Sequence, residues 1–152
     1  MTNNFDVEKL KKLRQETGVS FSLCKKALEE SINDLEATKK LLKKWGEDKV
    51  KDKSNRQPTE GVISAYIHHN KKIASFIQLD CETDFVAANP DFQKLADELA
   101  MQVSSMNPEN IEELLNQDYI RDPSKKVGDL IKEAVLKFGE NIKINRFIRW
   151  SI

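Results

Sequence analysis

The sequence predicts an α+β protein: a three-helix bundle, then a small antiparallel sheet packed with helices. Three observations predict it. Apolar residues recur at helical spacing through the first 46 residues. The composition then changes abruptly: "GEDKVKDKSNRQPTEG", residues 46 to 61, holds a single apolar side chain apart from its proline. Beyond it the apolar period shortens to two, the spacing of a strand, before helical spacing returns. The division expected is a bundle at 1–46, a charged linker at 47–60 and an α+β domain at 61–152.

The elements follow in order. In "NFDVEKLKKLRQETG" Val7, Leu10 and Leu13 form one stripe, Asp6 suits the positive N-terminal end, and Gly18 is a natural stop. In "SFSLCKKALEES" Ser20 can cap a helix whose Cys24, Ala27 and Leu28 share a face. In "NDLEATKKLLKKW" the stripe is Leu35, Thr38, Leu42 and Trp45, with Asn33 or Asp34 as cap. Connections this short force a compact bundle. The charged stretch after it cannot bury enough to fold alone and reads as a linker or an extended arm.

"GVISAYIHHNKKIASFIQLDC" supplies two β-rich runs around a turn at "HNKK". In the second run Ile73, Ser75, Ile77, Leu79 and Cys81 face one way, and Ala74, Phe76, Gln78 and Asp80 the other. The side bearing Phe76 is only partly polar, so some cover is expected on both faces. Asn89 is a strong cap and Pro90 fits the first helical position, opening a helix striped by Phe92, Leu95, Ala96, Leu99, Val103 and Met106. "NPEN" at 107–110 repeats that start signal for a short helix carrying Ile111, Leu114 and Leu115. A further helix is expected at roughly 124–138, stopping at Gly139. "NIKINRFIRWSI" ends the chain with Ile142, Ile144, Ile148 and Trp150 at even spacing, as on one strand face.

Composition excludes more than it selects. Lys plus Arg number 25 and Asp plus Glu 25, so no net field steers the chain towards nucleic acid or an anionic membrane. Hydrophobic residues make up 39% and charged ones 33%, which suits small, well-solvated domains with a thin core. No apolar run approaches the ~20 residues that cross a bilayer, and the N-terminus does not read as a signal peptide. A cytoplasmic setting is expected, with Cys24 and Cys81, 57 positions apart, as reduced, buried small hydrophobes. His68 and His69 are the only histidines. On a regular strand they would point to opposite faces, so no metal site is expected. A Cys81 nucleophile would need a positioned base and an oxyanion hole. Its neighbours Glu82 and Asp84 would instead discourage a thiolate. The five glycines form no phosphate loop, so no bound nucleotide or other cofactor is expected. Lysine pairs recur along the bundle, but the acids balance them.

That leaves "TDFVA" between the second strand and the Asn89 cap. Residue physics alone favours Phe85 and Val86 folding under to close the hydrophobic layer. The other reading is a projecting aromatic flanked by an acid, poised to enter a partner's pocket.

Here a resemblance adds to the residues. "LRQETGVSFSLCKKALEES" with "DLEATKKLLKKWG" is similar to the N-terminal module of translation elongation factor Ts. "CETDFVAANPDFQKLADELAMQV" resembles that family's Thr-Asp-Phe segment and following helix, and "VGDLIKEAVLKFGENIKINRF" its later signature. The resemblance implies a bundle of ubiquitin-associated type and a guanine-nucleotide exchange factor without covalent chemistry, hence no enzyme. The implied partner is elongation factor Tu, GDP-bound and nucleotide-free. In the family, the segment matching Thr83, Asp84, Phe85 and Val86 is implicated in dislodging Mg²⁺ from the partner. Phe85 would be the wedge and Asp84 the adjacent polar contact or local organiser. The helix at "LCKKAL" implies an N-terminal contact around Leu23, Cys24 and Lys25.

The chain departs from the family pattern at Phe21, Ser22 and Leu23, where methionines and an acid are frequent. Longer members also continue beyond the segment matching "GENIKINRF". A sheet lacking that neighbour is expected to expose an apolar face, with the Ile142, Ile144, Ile148 and Trp150 row as candidate, and to pair with a second copy. The alternative function is a passive ubiquitin-associated-type adaptor without exchange activity.

Overall fold

The structure, a computed structural model, describes residues 5–152; residues 1–4, the start of the expected bundle, lie outside it. The N-terminal helices are α1 (Val7–Thr17), α2 (Phe21–Glu30) and α3 (Leu35–Lys53). Their caps follow the chemistry of the sequence. Asp6 accepts from the Glu8 and Lys9 N–H groups, Ser20 from Leu23, and Asp34 from Ala37. Gly18 ends α1 at φ 65°, a left-handed position natural to glycine. Leu10, Leu13, Cys24, Ala27, Leu28 and Leu42 form the bundle's buried centre, while Val7 is half exposed.

The charged stretch after residue 46 is not an unfolded linker throughout: α3 continues through it to Lys53. The reason is tertiary. Gly46 is buried against a later helix (Val127–Phe138), where a Cβ would stand 3.2 Å from the Lys132 carbonyl oxygen, and Val50 packs on the sheet-domain core. Irregular chain is confined to the residues between Lys53 and Glu60.

Strands β1 (Glu60–Ile67), β2 (Ile73–Cys81) and β5 (Lys143–Ser151) form an antiparallel sheet in the order β1-β2-β5. After β2 come a one-turn helix α4 (Asp84–Ala87), α5 (Pro90–Met106) and α6 (Ile111–Asn116). A small hairpin, β3 (Asp118–Tyr119) and β4 (Asp122–Lys126), leads into α7 (Val127–Phe138). Residues 124–126, expected as helix, are therefore strand. Asp129 pins the helix start by accepting from the Lys126 N–H at 3.0 Å. The helix signal at 107–110 also divides differently. Asn107 ends α5 in a left-handed conformation, and Asn110 caps α6.

One sheet face carries the core: Ile77, Leu79 and Cys81 of β2 pack with Phe92, Leu99 and Val103 of α5, and Val127, Ile131 and Val135 of α7. Ser75 satisfies its buried hydroxyl on the Ala100 carbonyl at 2.5 Å. The terminal apolar row is split. A bulge moves the β2–β5 register, so Leu79 faces Ile144 but Gln78 faces Arg146, and Asn145 is extra. Parity inverts across it: Ile142 and Ile144 are buried, whereas Ile148 and Trp150 point outward with Phe76. The outer face is open, exposing Ile63, Ile67, Phe76, Ile148 and Trp150. The histidines leave the strand before they can alternate. β1 ends at Ile67, and the rings of His68 and His69 lie 4.2 Å apart. Among the described residues, no group of three or more His, Cys, Asp or Glu is gathered as a metal site.

The bundle and the sheet domain meet along α3 and α7. Leu136 of α7 completes the bundle's core. Lys43–Asp129 (3.3 Å) and Lys132–Glu47 (3.2 Å) link the two helices at their rims.

Candidate functional site

The Thr83–Val86 segment sits between two firm supports. β2 is the central strand, bonded on both sides, and α5 is anchored by the fully buried Phe92. The segment is not a loose connection, because it forms the single turn α4. Thr83 caps that turn, its hydroxyl oxygen accepting from the Val86 N–H at 3.4 Å. Backbone bonds close it: Ala87 N–H to Thr83 O (3.1 Å), Ala88 to Asp84 (2.9 Å) and Asn89 to Val86 (3.0 Å). Asn89 then caps α5 by accepting from Asp91 N–H at 2.9 Å. Asn89 thus closes one turn and opens the next helix.

Within this turn the two apolar neighbours part. Val86 and Ala87 are half-buried and rest on the sheet-domain core. Phe85 is 85% exposed, and Asp84 is exposed beside it. The hydrophobic layer is closed by Val86, and Phe85 projects into solvent, so the buried-plug reading of Phe85 does not hold.

The base of the turn is held by residues that sequence reading did not single out. Glu140 follows Gly139, which ends α7 at φ 71°. Its Oε2 accepts from the Glu82 N–H at 2.8 Å and the Thr83 N–H at 3.1 Å. Its Oε1 accepts from the Thr83 hydroxyl at 2.5 Å. In return Glu82 Oε1 accepts from the Asn141 N–H at 2.6 Å, and Glu82 pairs with Arg56 at 3.5 Å. The only signal in the sequence was that Glu140 and Asn141 fall within the "GEN" of a family signature; their separation from Glu82 carries no local pattern.

Cys81, at the end of β2, donates to the Thr83 carbonyl at 3.3 Å. Burial, reinforced by the charge of Glu140, pushes its thiol up to about 11. A thiol held neutral is no nucleophile.

The N-terminal candidates are placed less uniformly. Cys24 is fully buried, its Sγ directed at the Val19 carbonyl at 3.5 Å, so it packs the bundle. Burial also raises its pKa. Leu23 and Lys25 are partly accessible. The Lys25 ammonium lies 4.9 Å from the centre of the Phe5 ring, which meets the half-exposed Phe21 edge to face.

Residues 82–152 match the family model described as Elongation factor TS. The chain is 37% identical to "Elongation factor Ts" of Coprothermobacter proteolyticus, covering 94% of this chain and 95% of that protein. It is 35% identical to the protein of that name from Thermosipho melanesiensis (94% and 96% covered) and 37% identical to that of Thermotoga maritima (94% and 94%). The first of these alignments spans 188 positions, more than the 152 residues here, so that relative holds residues within the span that have no counterpart in this chain. With identity above a third over nearly the whole length, the chain belongs to the elongation factor Ts family.

Proposed function

We propose that the chain is a guanine-nucleotide exchange factor for elongation factor Tu, working in the cytoplasm without covalent chemistry or a cofactor of its own. The observation that carries the reading is Phe85, a large aromatic left 85% exposed on a turn whose base is fully bonded. Phe85 inserts between partner side chains, Asp84 makes the adjacent polar contact, and Val86 and Thr83 hold the turn. The wedge displaces elements that fix the partner's Mg²⁺, which bridges phosphate and protein, so GDP is held less tightly. Coupling is reciprocal: a factor that prefers the nucleotide-free partner lowers nucleotide affinity by the same ratio. Leu23 and Lys25 supply a second contact from α2. Balanced charge gives no reason for direct nucleic-acid binding.

Magnitudes limit what one wedge does. Each tenfold rise in release rate takes about 1.4 kcal/mol off the barrier. Burying a Phe side chain is worth roughly 1.5–3 kcal/mol. Phe85 therefore accounts for about one to two decades of acceleration, and other contacts supply the rest. The test is stopped-flow release of fluorescent GDP from elongation factor Tu. Phe85→Ala is expected to slow catalysed release by about ten- to a hundredfold. The melting temperature should be unaltered, because the ring is exposed. An unchanged rate would remove the wedge from the mechanism.

The finer assembly proposed is a homodimer through the open sheet face, supported by the exposed Ile63, Ile67, Phe76, Ile148 and Trp150.

A further inference from the structure

We infer that Glu140 is a positioning residue for exchange, a carboxylate clamp that holds the base of α4 and so aims Phe85. The inference rests on the wedge reading above. A single helical turn is not stable by itself: it has too few internal bonds to offset the entropy of ordering it. In α4 the apolar anchorage comes from Val86 and Ala87 on one side only. If the base were free, the turn could pivot about that contact and sweep Phe85 through a range of directions.

Glu140 removes that freedom at three points. It accepts from two successive backbone N–H groups, Glu82 and Thr83, and from the Thr83 hydroxyl. The Thr83 hydroxyl is thereby oriented: its hydrogen goes to Glu140 Oε1, leaving its oxygen to accept from Val86 N–H. The clamp and the helix cap are one chain of bonds, from Glu140 through Thr83 to the residue after Phe85. Charge-assisted acceptors of this kind are stronger than neutral ones. Glu140 is itself fixed. Gly139 turns the chain out of α7, and the buried Asn141 donates its N–H to Glu82 and its side-chain amide to the Arg56 carbonyl at 2.6 Å. An aromatic already aimed loses less freedom on entering its pocket, so more of its burial energy appears in the complex.

A carboxylate is required because all three partners are donors. In Glu140→Gln the amide oxygen still takes the two N–H groups, but the –NH₂ can only donate to the Thr83 hydroxyl oxygen, a neutral bond that competes with the Val86 N–H for that oxygen. The variant keeps size and shape, removes the charge, and reverses the bond that links clamp to cap.

The experiment is a double-mutant cycle on catalysed GDP release from elongation factor Tu, with the full chain carrying Glu140→Gln, Phe85→Ala or both. Glu140→Gln is expected to slow release about three- to tenfold when Phe85 is present. It should have no further effect in the Phe85→Ala background, since it acts through that ring. Amide hydrogen exchange should quicken at Thr83 and Val86 and stay unchanged at Ile77 and Leu79 in β2. A wild-type rate for Glu140→Gln beside a slow Phe85→Ala overturns this inference alone. Equal slowing in both backgrounds also overturns it, because the residue would then be supporting the fold generally. A wild-type rate for Phe85→Ala removes the wedge reading and the inference with it. If Glu140→Gln does not fold, the same cycle is run with Thr83→Val, which deletes the bridging hydroxyl and carries the same outcomes.

Discussion

At the scale of single residues, the chain separates neighbours that a hydrophobicity scale treats alike. Phe85 and Val86 are adjacent and both apolar, yet one projects into solvent and the other lies on the core. A helical turn places successive side chains about 100° apart, so Val86 and Ala87 share the side that faces the core while Phe85 falls on the other. The sequence reading made the segment irregular, and without the turn there was no reason to separate them. The cysteines are a clearer case of legibility, since both are buried as their lone positions suggested. Burial raises both thiols, Cys81 to about 11. A thiol-specific reagent at pH 8 is therefore expected to label almost none of the native protein and both cysteines once it is unfolded in guanidinium. Prompt labelling of the native chain at Cys81 would show the strand end to be open.

At the scale of elements, the α3–α7 contact has no local signature. Gly46 is the last residue of the expected bundle, next to a charged linker, but its lack of a side chain lets α3 pass the α7 backbone. Gly46→Val is expected to cost about 1–3 kcal/mol by overpacking, read as a lower melting temperature. The same contact gives the fold an acid-sensitive joint. Burial pushes the Asp129 carboxyl up, but the Lys126 N–H and the Lys43 ammonium outweigh it and hold the group below its ordinary value. A carboxyl whose folded pKa is lowered stabilises the fold above its unfolded value, near 4, and that stability is lost as pH falls through the folded pKa. Melting temperature should therefore drop between about pH 5 and pH 3, less steeply in Asp129→Asn. An identical slope in the variant would assign the acid sensitivity to other carboxyls.

At the scale of the whole molecule, the sheet is covered on one side only. Opposite the core, the rows Ala65–Phe76–Ile148 and Ile67–Ala74–Trp150 lie across the three strands, and Phe76 and Trp150 meet edge to face at 6.2 Å. Water against such a face is unfavourable, and a second copy of the same face would remove it. Equilibrium sedimentation at micromolar concentration is expected to give twice the 17.5 kDa chain mass, and Trp150→Glu a monomer. A wild-type chain that sediments as a monomer would rule the pairing out. The face itself was only half legible. Period two correctly marked a strand, but the bulge at Asn145 sent Ile148 and Trp150 to the side opposite Ile142 and Ile144.

What the sequence determined by itself was whatever depends on neighbours in the chain. Helix caps at Asp6, Ser20, Asp34 and Asn89 and stops at Gly18 and Gly139 need only a few residues of context, because the groups they satisfy lie within one turn. The α+β class was legible for the same reason, from local apolar periods, whereas the Thr-Asp-Phe segment was singled out by its family resemblance. Only the tertiary structure decided how far α3 runs, which way Ile148 and Trp150 face, and which of Phe85 and Val86 is buried. Each depends on a contact between distant segments: the α7 backbone at Gly46, the β2 register beside Asn145, and the sheet-domain core on which Val86 and Ala87 rest. Such contacts leave no period in the sequence, since the residues that make them are brought together only when the core closes.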